Sequence, residues 1–278
     1  MNGSRGNRLG IEMLTLLGMP PVDYVTLAGE LGCVSVSTGL SGLPLAMFGI
    51  TDYAPYPAWS LRDEPALRRE MIAAMRDTGV KIGLAEGFSA KAGADVADFA
   101  ADLDLFAELG ALRLNAICME DDMAMAVDQL GKLAGMAADR GMAFTIEFFP
   151  SEGINSFERA LQVIDGIGRD KARILLDSMH FFRTGGTLEK LAGAGTDVVG
   201  YVQLADAPDT PPGESYFMDA MFARQVPGEG ELPLRELVAA LPADMPISLE
   251  VPRLADLKAM GPRAHAVRVV EAARALGA

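Results

Sequence analysis

The sequence predicts an α/β fold, a single (β/α)8 TIM barrel spanning residues 1–278. Three observations carry that expectation. Eight short apolar runs alternate with eight longer amphipathic segments, the pattern of parallel strands joined by helical crossovers. An open doubly wound sheet satisfies the same alternation, but no GxGxxG or GxxxxGK[ST] fingerprint follows the first run. A length of 278 residues fits one barrel, and no shift in composition marks a linker between two smaller domains.

In chain order, Leu9 to Leu14 reads as strand one, and Pro20-Pro21 followed by Val22 to Leu31 as a helix with proline in its first turn. Cys33 to Ser37 is strand two. Residues 38–60 form a long irregular stretch that holds Phe48, Tyr53, Tyr56 and Trp59, and its aromatic content predicts an ordered loop covering something. Glu64 to Thr78 is a helix, Lys81 to Ala85 strand three, Val96 to Leu109 a helix and Leu112 to Ile117 strand four. Asp121 to Arg140 is a long helix closed by Gly141, where a left-handed residue is wanted. Phe144 to Phe148 is strand five, Ser156 to Ile167 a helix, Ile174 to Asp177 strand six and Thr187 to Gly193 a short helix. Val198 to Leu204 is strand seven, Leu232 to Leu241 a helix, Ile247 to Val251 strand eight, and Pro262 to Leu276 the closing helix.

Composition limits the function classes. Half of the residues are apolar, enough for a large core, and the formal charge is -14 without a run of Lys or Arg. That balance argues against nucleic acid and anionic membrane as partners and for a small-molecule substrate. Cys33 and Cys118 stand in apolar surroundings without CxxC spacing, as buried thiols in a reducing compartment do. The N-terminal stretch lacks an apolar core of signal-peptide length, and no later run is long enough to span a bilayer, so a soluble cytoplasmic protein is expected. Helices on the outside of a barrel often pair, which leaves a homo-oligomer open.

In a barrel, polar residues at the C-terminal strand ends converge on one mouth. Strand five carries Glu147 in Thr-Ile-Glu-Phe-Phe-Pro, strand six ends in Asp177, strand seven carries Gln203 and strand eight Glu250, each inside an otherwise apolar run. Asp177 has two roles open to it: cation ligand, or cap of a following helix with His180 packed neutral beside it. Four consecutive strands that deliver Glu, Asp, Gln and Glu to one rim favour a cation. The set is hard and oxygen-only, suited to one divalent ion, Mn²⁺ or Mg²⁺ before Co²⁺ or Zn²⁺.

These residues resemble the xylose-isomerase-like barrels known as sugar phosphate isomerases/epimerases. The resemblance rests on Glu147, Asp177-Ser-Met-His180, Gln203-Leu-Ala-Asp206, Pro227-Gly-Glu-Gly230 and Glu250, and is strongest from Ala143 onward. It implies a barrel with a single divalent metal on Glu147, Asp177, Gln203 and Glu250, and chemistry beside a carbonyl. Sugar epimerases of this family usually place His where this chain has Gln203, whereas the resemblance to 3-dehydroshikimate dehydratases includes a Gln there. Endonuclease members use additional His ligands, and this chain has only His180 and His265.

The apolar neighbours Phe148, Phe149, Met179, Phe181, Phe182, Phe217, Met218, Met221 and Phe222 hint at a substrate less polar than a free sugar phosphate. Roles follow as expectations. Glu147 and Glu250 are both ligands and candidate acid/base groups, with His180 as proton carrier. Arg224, Asn115, Glu86, Phe149 and Phe181 are candidate substrate contacts, and Asp206 is placed to orient a metal ligand. The leading expectation is a metal-dependent lyase, a dehydratase or retro-aldol enzyme acting on a hydroxylated ring or aromatic compound. A sugar or sugar-phosphate isomerase/epimerase is the alternative, and a barrel that only binds is the third.

Overall fold

Strand pairing runs in chain order and closes on itself: β1 (Leu9–Ile11), β2 (Ser35–Thr38), β3 (Lys81–Ala90), β4 (Arg113–Cys118), β5 (Ala143–Glu147), β6 (Arg173–Asp177), β7 (Val199–Leu204) and β8 (Ile247–Leu249), with β8 back against β1. The computed structural model describes residues 7–209 and 215–278. All pairings are parallel, as helical crossovers require. The helices are α1 (Pro21–Glu30), α2 (Pro65–Thr78), α3 (Ala100–Glu108), α4 (Met123–Ala138), α5 (Phe157–Ile167), α6 (Ser178–Arg183), α7 (Leu188–Ala194), α8 (Tyr216–Phe222), α9 (Leu234–Ala240) and α10 (Leu254–Leu276). No helix among the described residues is long and apolar enough to cross a membrane. Cys33 and Cys118 are free and buried.

Register places the site. Asp177 pairs with Gln203, Gln203 with Ser248, and Ile11 with Leu249, so Glu12 and Glu250 stand side by side one residue past the last β1–β8 pair. Beneath this rim Leu84, Leu175 and Tyr201, all fully buried, cluster inside the barrel and separate the mouth from its lower end.

Several boundaries differ from the sequence expectation. β1 stops at Ile11 and turns into a 3-10 helix over Met13–Leu16, which puts Glu12 at a strand end rather than inside one. β3 continues beyond Ala85: a bulge absorbs Glu86-Gly87, and pairing resumes with Phe88 opposite Ala116. The segment expected as a helix from Val96 divides into a 3-10 turn (Val96–Phe99) and α3. β8 ends at Leu249, and the closing helix starts early, with a break at Gly261, φ +80°, before Pro262. α8 was not expected, and α6 only as the helix that Asp177 would cap, because each is too short to show a full hydrophobic period.

The loop between β2 and α2 is ordered. Trp59 is buried and its indole N–H donates to Gly18 O at 3.0 Å, while Phe48 packs on Phe217 and Phe222 of α8 with ring centroids 6.0 and 5.7 Å apart. The loop thereby braces α8 over the mouth.

Asp206 governs the second covering segment. Its Oδ1 accepts from the amides of Ala207 (2.9 Å) and Leu232 (3.1 Å), and its Oδ2 from Gly228 (2.8 Å). These bonds pin the Pro227-Gly-Glu-Gly230 turn. Gly230 has no alternative there, since a Cβ would lie 2.3 Å from Asp206 Oδ1 and 2.5 Å from Ala207 O. Asp206 was expected to orient a metal ligand; its carboxylate instead accepts from backbone amides, because the turn brings the Gly228 and Leu232 N–H groups to it beside that of Ala207. Asp206→Ala strands those donors and should cost on the order of 3 kcal/mol. Urea denaturation checks the loss, and faster exchange of the Gly228 and Leu232 amides should accompany it.

Candidate metal centre

The C-terminal mouth holds a cavity of about 360 Å³ lined by Glu86, Asn115, Glu147, His180, Arg224 and Glu250, with Leu14, Phe88, Ile117, Met119, Phe149, Phe217 and Met221 around them. A larger hollow of about 880 Å³ opens at the other end, around Arg113 and Arg173. The chemistry belongs to the smaller one, where carboxylates, imidazole and guanidinium converge.

Asp177 is delivered by β6 and caps α6, its Oδ1 accepting the His180 N–H at 2.9 Å. The cap and the charge are not alternatives, because Oδ2 remains and pairs with Arg224 Nη1. Arg224 Nη2 lies 2.9 Å from Glu250 Oε2, and its Nε donates to Ala220 O at 2.7 Å, so one buried guanidinium bridges β6 and β8. Ser178 locks α6 to β7: its Oγ donates to Ala205 O at 2.7 Å and accepts from Ala205 N at 2.9 Å. His180 is thereby held with Nε2 3.6 Å from Glu147 Oε1 and Nδ1 2.6 Å from Tyr216 Oη. Asn115 Nδ2 donates to Glu147 Oε2 at 2.8 Å, which leaves Oε1 facing the imidazole.

Two triads form within this mouth. Glu147, Asp177 and His180 place ligand atoms within 4.8 Å of one another, and so do Glu12, Glu86 and Glu250. Gln203 stands with the second: its Nε2 donates to Glu12 Oε2 (3.1 Å) and Glu250 Oε1 (3.3 Å), and its Oε1 is buried without a hydrogen-bond partner. An orphaned buried acceptor beside crowded carboxylates is the environment a divalent cation satisfies.

Titration behaviour follows from crowding in a dry site. Burial, reinforced by Asp177, pushes Glu147 up to about 7. Burial would raise Asp177 as well, but the Arg224 guanidinium and His180 outweigh it and hold that carboxyl at about 2. Burial pushes His180 down to about 4 despite Asp177, so the imidazole is neutral at pH 7. Burial also raises Glu250, against the pull of Arg224, and raises Glu86, with the Glu12 charge adding to it.

The expected residues are thus unequally placed. Glu147, His180, Glu250, Arg224, Asn115, Glu86 and Phe149 meet at the mouth, and Asp177 and Gln203 stand at its rim. Phe149 lies edge-on to His180, 4.7 Å between centroids. Phe181 is corrected: it is fully buried against Phe157 and Phe182, outside the cavity, because α6 turns its side chain toward α5 and away from the barrel axis. Phe148 likewise belongs to the core. Sequence reading missed Glu12, although it interrupts an apolar run as the other rim residues do, and missed Tyr216, which carried no signal before α8 was seen.

Residues 36–276 match the family described as xylose isomerase-like TIM barrel. The chain belongs to that family. An inosose isomerase of Bacillus subtilis is 29% identical over 127 residues, 45% of this chain and 44% of that protein. The match therefore spans under half the length of that curated relative. Among solved structures, the IolI protein with a bound zinc atom superposes with a TM-score of 0.74 at 18% identity over 97% of both chains. The probable 3-DHS dehydratase AsbF of Bacillus anthracis gives 0.69 at 12% identity, over 96% of this chain and 98% of that one. At such identities the likeness concerns the fold.

Glu147 binds its proton more tightly folded than unfolded. Its stabilising contribution is complete below pH 4.5 and is lost as pH rises through about 7. In metal-free protein Glu147→Gln, which cannot ionise, should match the wild type near pH 4.5 and exceed it at pH 8 by roughly 2–3 kcal/mol. Thermal melting with chelator at both pH values measures the difference, and equal stability at pH 8 would contradict the burial argument.

Proposed function

We propose that this chain is a divalent-metal-dependent enzyme that moves a proton beside the carbonyl of a hydroxylated ring compound and eliminates a β-hydroxyl, a lyase of the dehydratase type. The supporting observation is an apolar-walled cavity of about 360 Å³ lined by Glu147, His180, Arg224 and Glu250, with Asp177 and Gln203 paired on the adjoining strand ends. Glu147, Asp177, Gln203 and Glu250 would hold the ion, Mn²⁺ or Mg²⁺ by their oxygen-only character, with Zn²⁺ as bound in the IolI structure a further candidate. When bound, it supplies Lewis-acid polarisation of the substrate carbonyl.

The protein's own groups do the rest. Phe149, Phe217, Phe88 and Met221 flank the ring faces of a substrate and exclude water. Glu147 Oε1, the oxygen not spent on Asn115, takes the proton from carbon. Tyr216, whose hydroxyl burial keeps protonated, donates to His180 Nδ1, so Nε2 carries the ring proton toward Glu147. The proton taken from carbon returns by way of His180 to the departing hydroxyl, which leaves as water, and no net proton is consumed. Arg224, tied to Asp177 and Glu250, keeps both carboxylates oriented.

Isomerisation is the second reading, favoured by the sequence match to inosose isomerases. It uses the same proton abstraction, but the proton returns to the former carbonyl carbon while the proton of the adjacent hydroxyl passes to the former carbonyl oxygen, and no hydroxyl leaves.

Purified protein, metal-depleted and then loaded with Mn²⁺, Mg²⁺ or Zn²⁺, should convert a member of a panel of cyclic polyol ketones, dehydroshikimate-like rings and hydroxylated aromatics. An unsaturated or aromatised product supports the lyase, and an interconverted ketone moves the reading to isomerase. His180→Ala should lower kcat by about 10²–10⁴-fold. Tyr216→Phe should lower it less, by roughly tenfold, as expected when only the imidazole's orientation is lost. No turnover with any metal across the panel would sink both readings.

A further inference from the structure

Gln203 is the proposed ligand whose competence depends on which way it faces. An amide presents an oxygen on one side and an NH₂ on the other, and only the oxygen can hold a cation. Gln203 is 1% exposed, so water cannot satisfy a reversed amide. Its Nε2 is committed to Glu12 Oε2 at 3.1 Å and Glu250 Oε1 at 3.3 Å, and Oε1 is left without a partner. Reversal would set Oε1 against two carboxylate oxygens and aim NH₂ at the ligand space. Glu250 is drawn toward Arg224 and is itself a proposed ligand, which leaves Glu12 as the acceptor free to do the orienting.

Glu12 is built for that task. It is fully buried at the end of β1, where its backbone N–H donates to Leu249 O at 3.0 Å. Its Oε1 accepts the Tyr201 hydroxyl at 2.8 Å, and Tyr201 rises from the plug that floors the mouth. The carboxylate is thus fixed from below and presents Oε2 to Gln203.

We infer that Glu12 is a positioning residue of the metal centre: by accepting the Gln203 Nε2–H it turns the amide so that Oε1, and not NH₂, meets a divalent cation. The inference rests on the metal reading above. It extends that reading to a residue at the end of β1, which pairs with β8 in the closed barrel, and explains why an amide can serve where orientation is otherwise ambiguous. A carboxylate at position 203 has two equivalent oxygens, needs no orienting, and would be repelled by Glu12.

The test is the dissociation constant for Mn²⁺ and Zn²⁺, measured by calorimetry on metal-free wild type, Glu12→Gln, Gln203→Glu and the double variant, with circular dichroism to establish folding. Glu12→Gln should weaken binding about 10–100-fold in the wild-type background. In the Gln203→Glu background the same change should leave binding unaltered or tighten it. Weakening by the same factor in both backgrounds would mean that Glu12 acts only through its charge and would overturn the inference. So would a Glu12→Gln variant that binds as the wild type does. A wild type that binds neither ion removes the metal centre and this inference with it, an outcome distinct from the other two. Should Glu12→Gln not fold, Tyr201→Phe, which frees the Glu12 carboxylate to swing, should weaken binding several-fold, and unchanged affinity there overturns the inference.

Discussion

The Arg224 guanidinium between Asp177 and Glu250 is the interaction on which the mouth depends. Five carboxyl groups, from Glu12, Glu86, Glu147, Asp177 and Glu250, gather at one end of the barrel, and Arg224 is the cation that pairs with them there among the described residues. Burying so much like charge is costly, and one guanidinium compensates two of the five. The others respond by holding protons, as the raised Glu147 and Glu86 do, or by drawing on neutral donors such as Asn115, Tyr201 and Gln203. A site so arranged has a standing electrostatic demand for a further cation.

The barrel imposes this crowding through geometry. Parallel strands of matched register end at one level, and side chains that alternate inward stack in layers. Leu84, Leu175 and Tyr201 fill the layer beneath, so the polar layer has no lower exit and must be satisfied from above. The segments above the rim are held by the same economy. Asp206 pins the segment after α8 through the Gly228 and Leu232 amides, and the loop after β2 presses Phe48 on α8 from the other side. Both place Tyr216 on His180 and Phe217 and Met221 over the cavity.

The division of labour among side chains follows from which oxygens are already spent. Glu147 gives one oxygen to Asn115 and keeps one facing His180; Asp177 gives one to the α6 cap and one to Arg224; Glu12 gives both away. Residue types alone do not distinguish these three acids. Hydrogen-bond accounting does, and it separates an acid/base candidate from an orienting one.

Much of this was legible in the chain, because it depends on local pattern. Eight apolar runs with helical segments between them pointed to a parallel barrel, and an acid in three of the four late runs marked Glu147, Asp177 and Glu250, since a charge inside a buried strand needs a partner. The same rule would have found Glu12 had strand one not been read as running on to Leu14. Tertiary structure alone decided the rest. Phe181 and Phe149 both sit beside proposed ligands in sequence, yet one is core and the other lines the cavity, because the turn into α6 sets the direction of each. Tyr216 reaches the mouth from a covering helix, and Arg224 from just past its end, and the position of that helix depends on distant loops. Asp206 turned from the ligands to the backbone of a loop some twenty residues away in the chain. Local pattern determines which residues a strand delivers to the rim; which partner each finds there depends on contacts between segments far apart in sequence, and only the closed barrel brings those together.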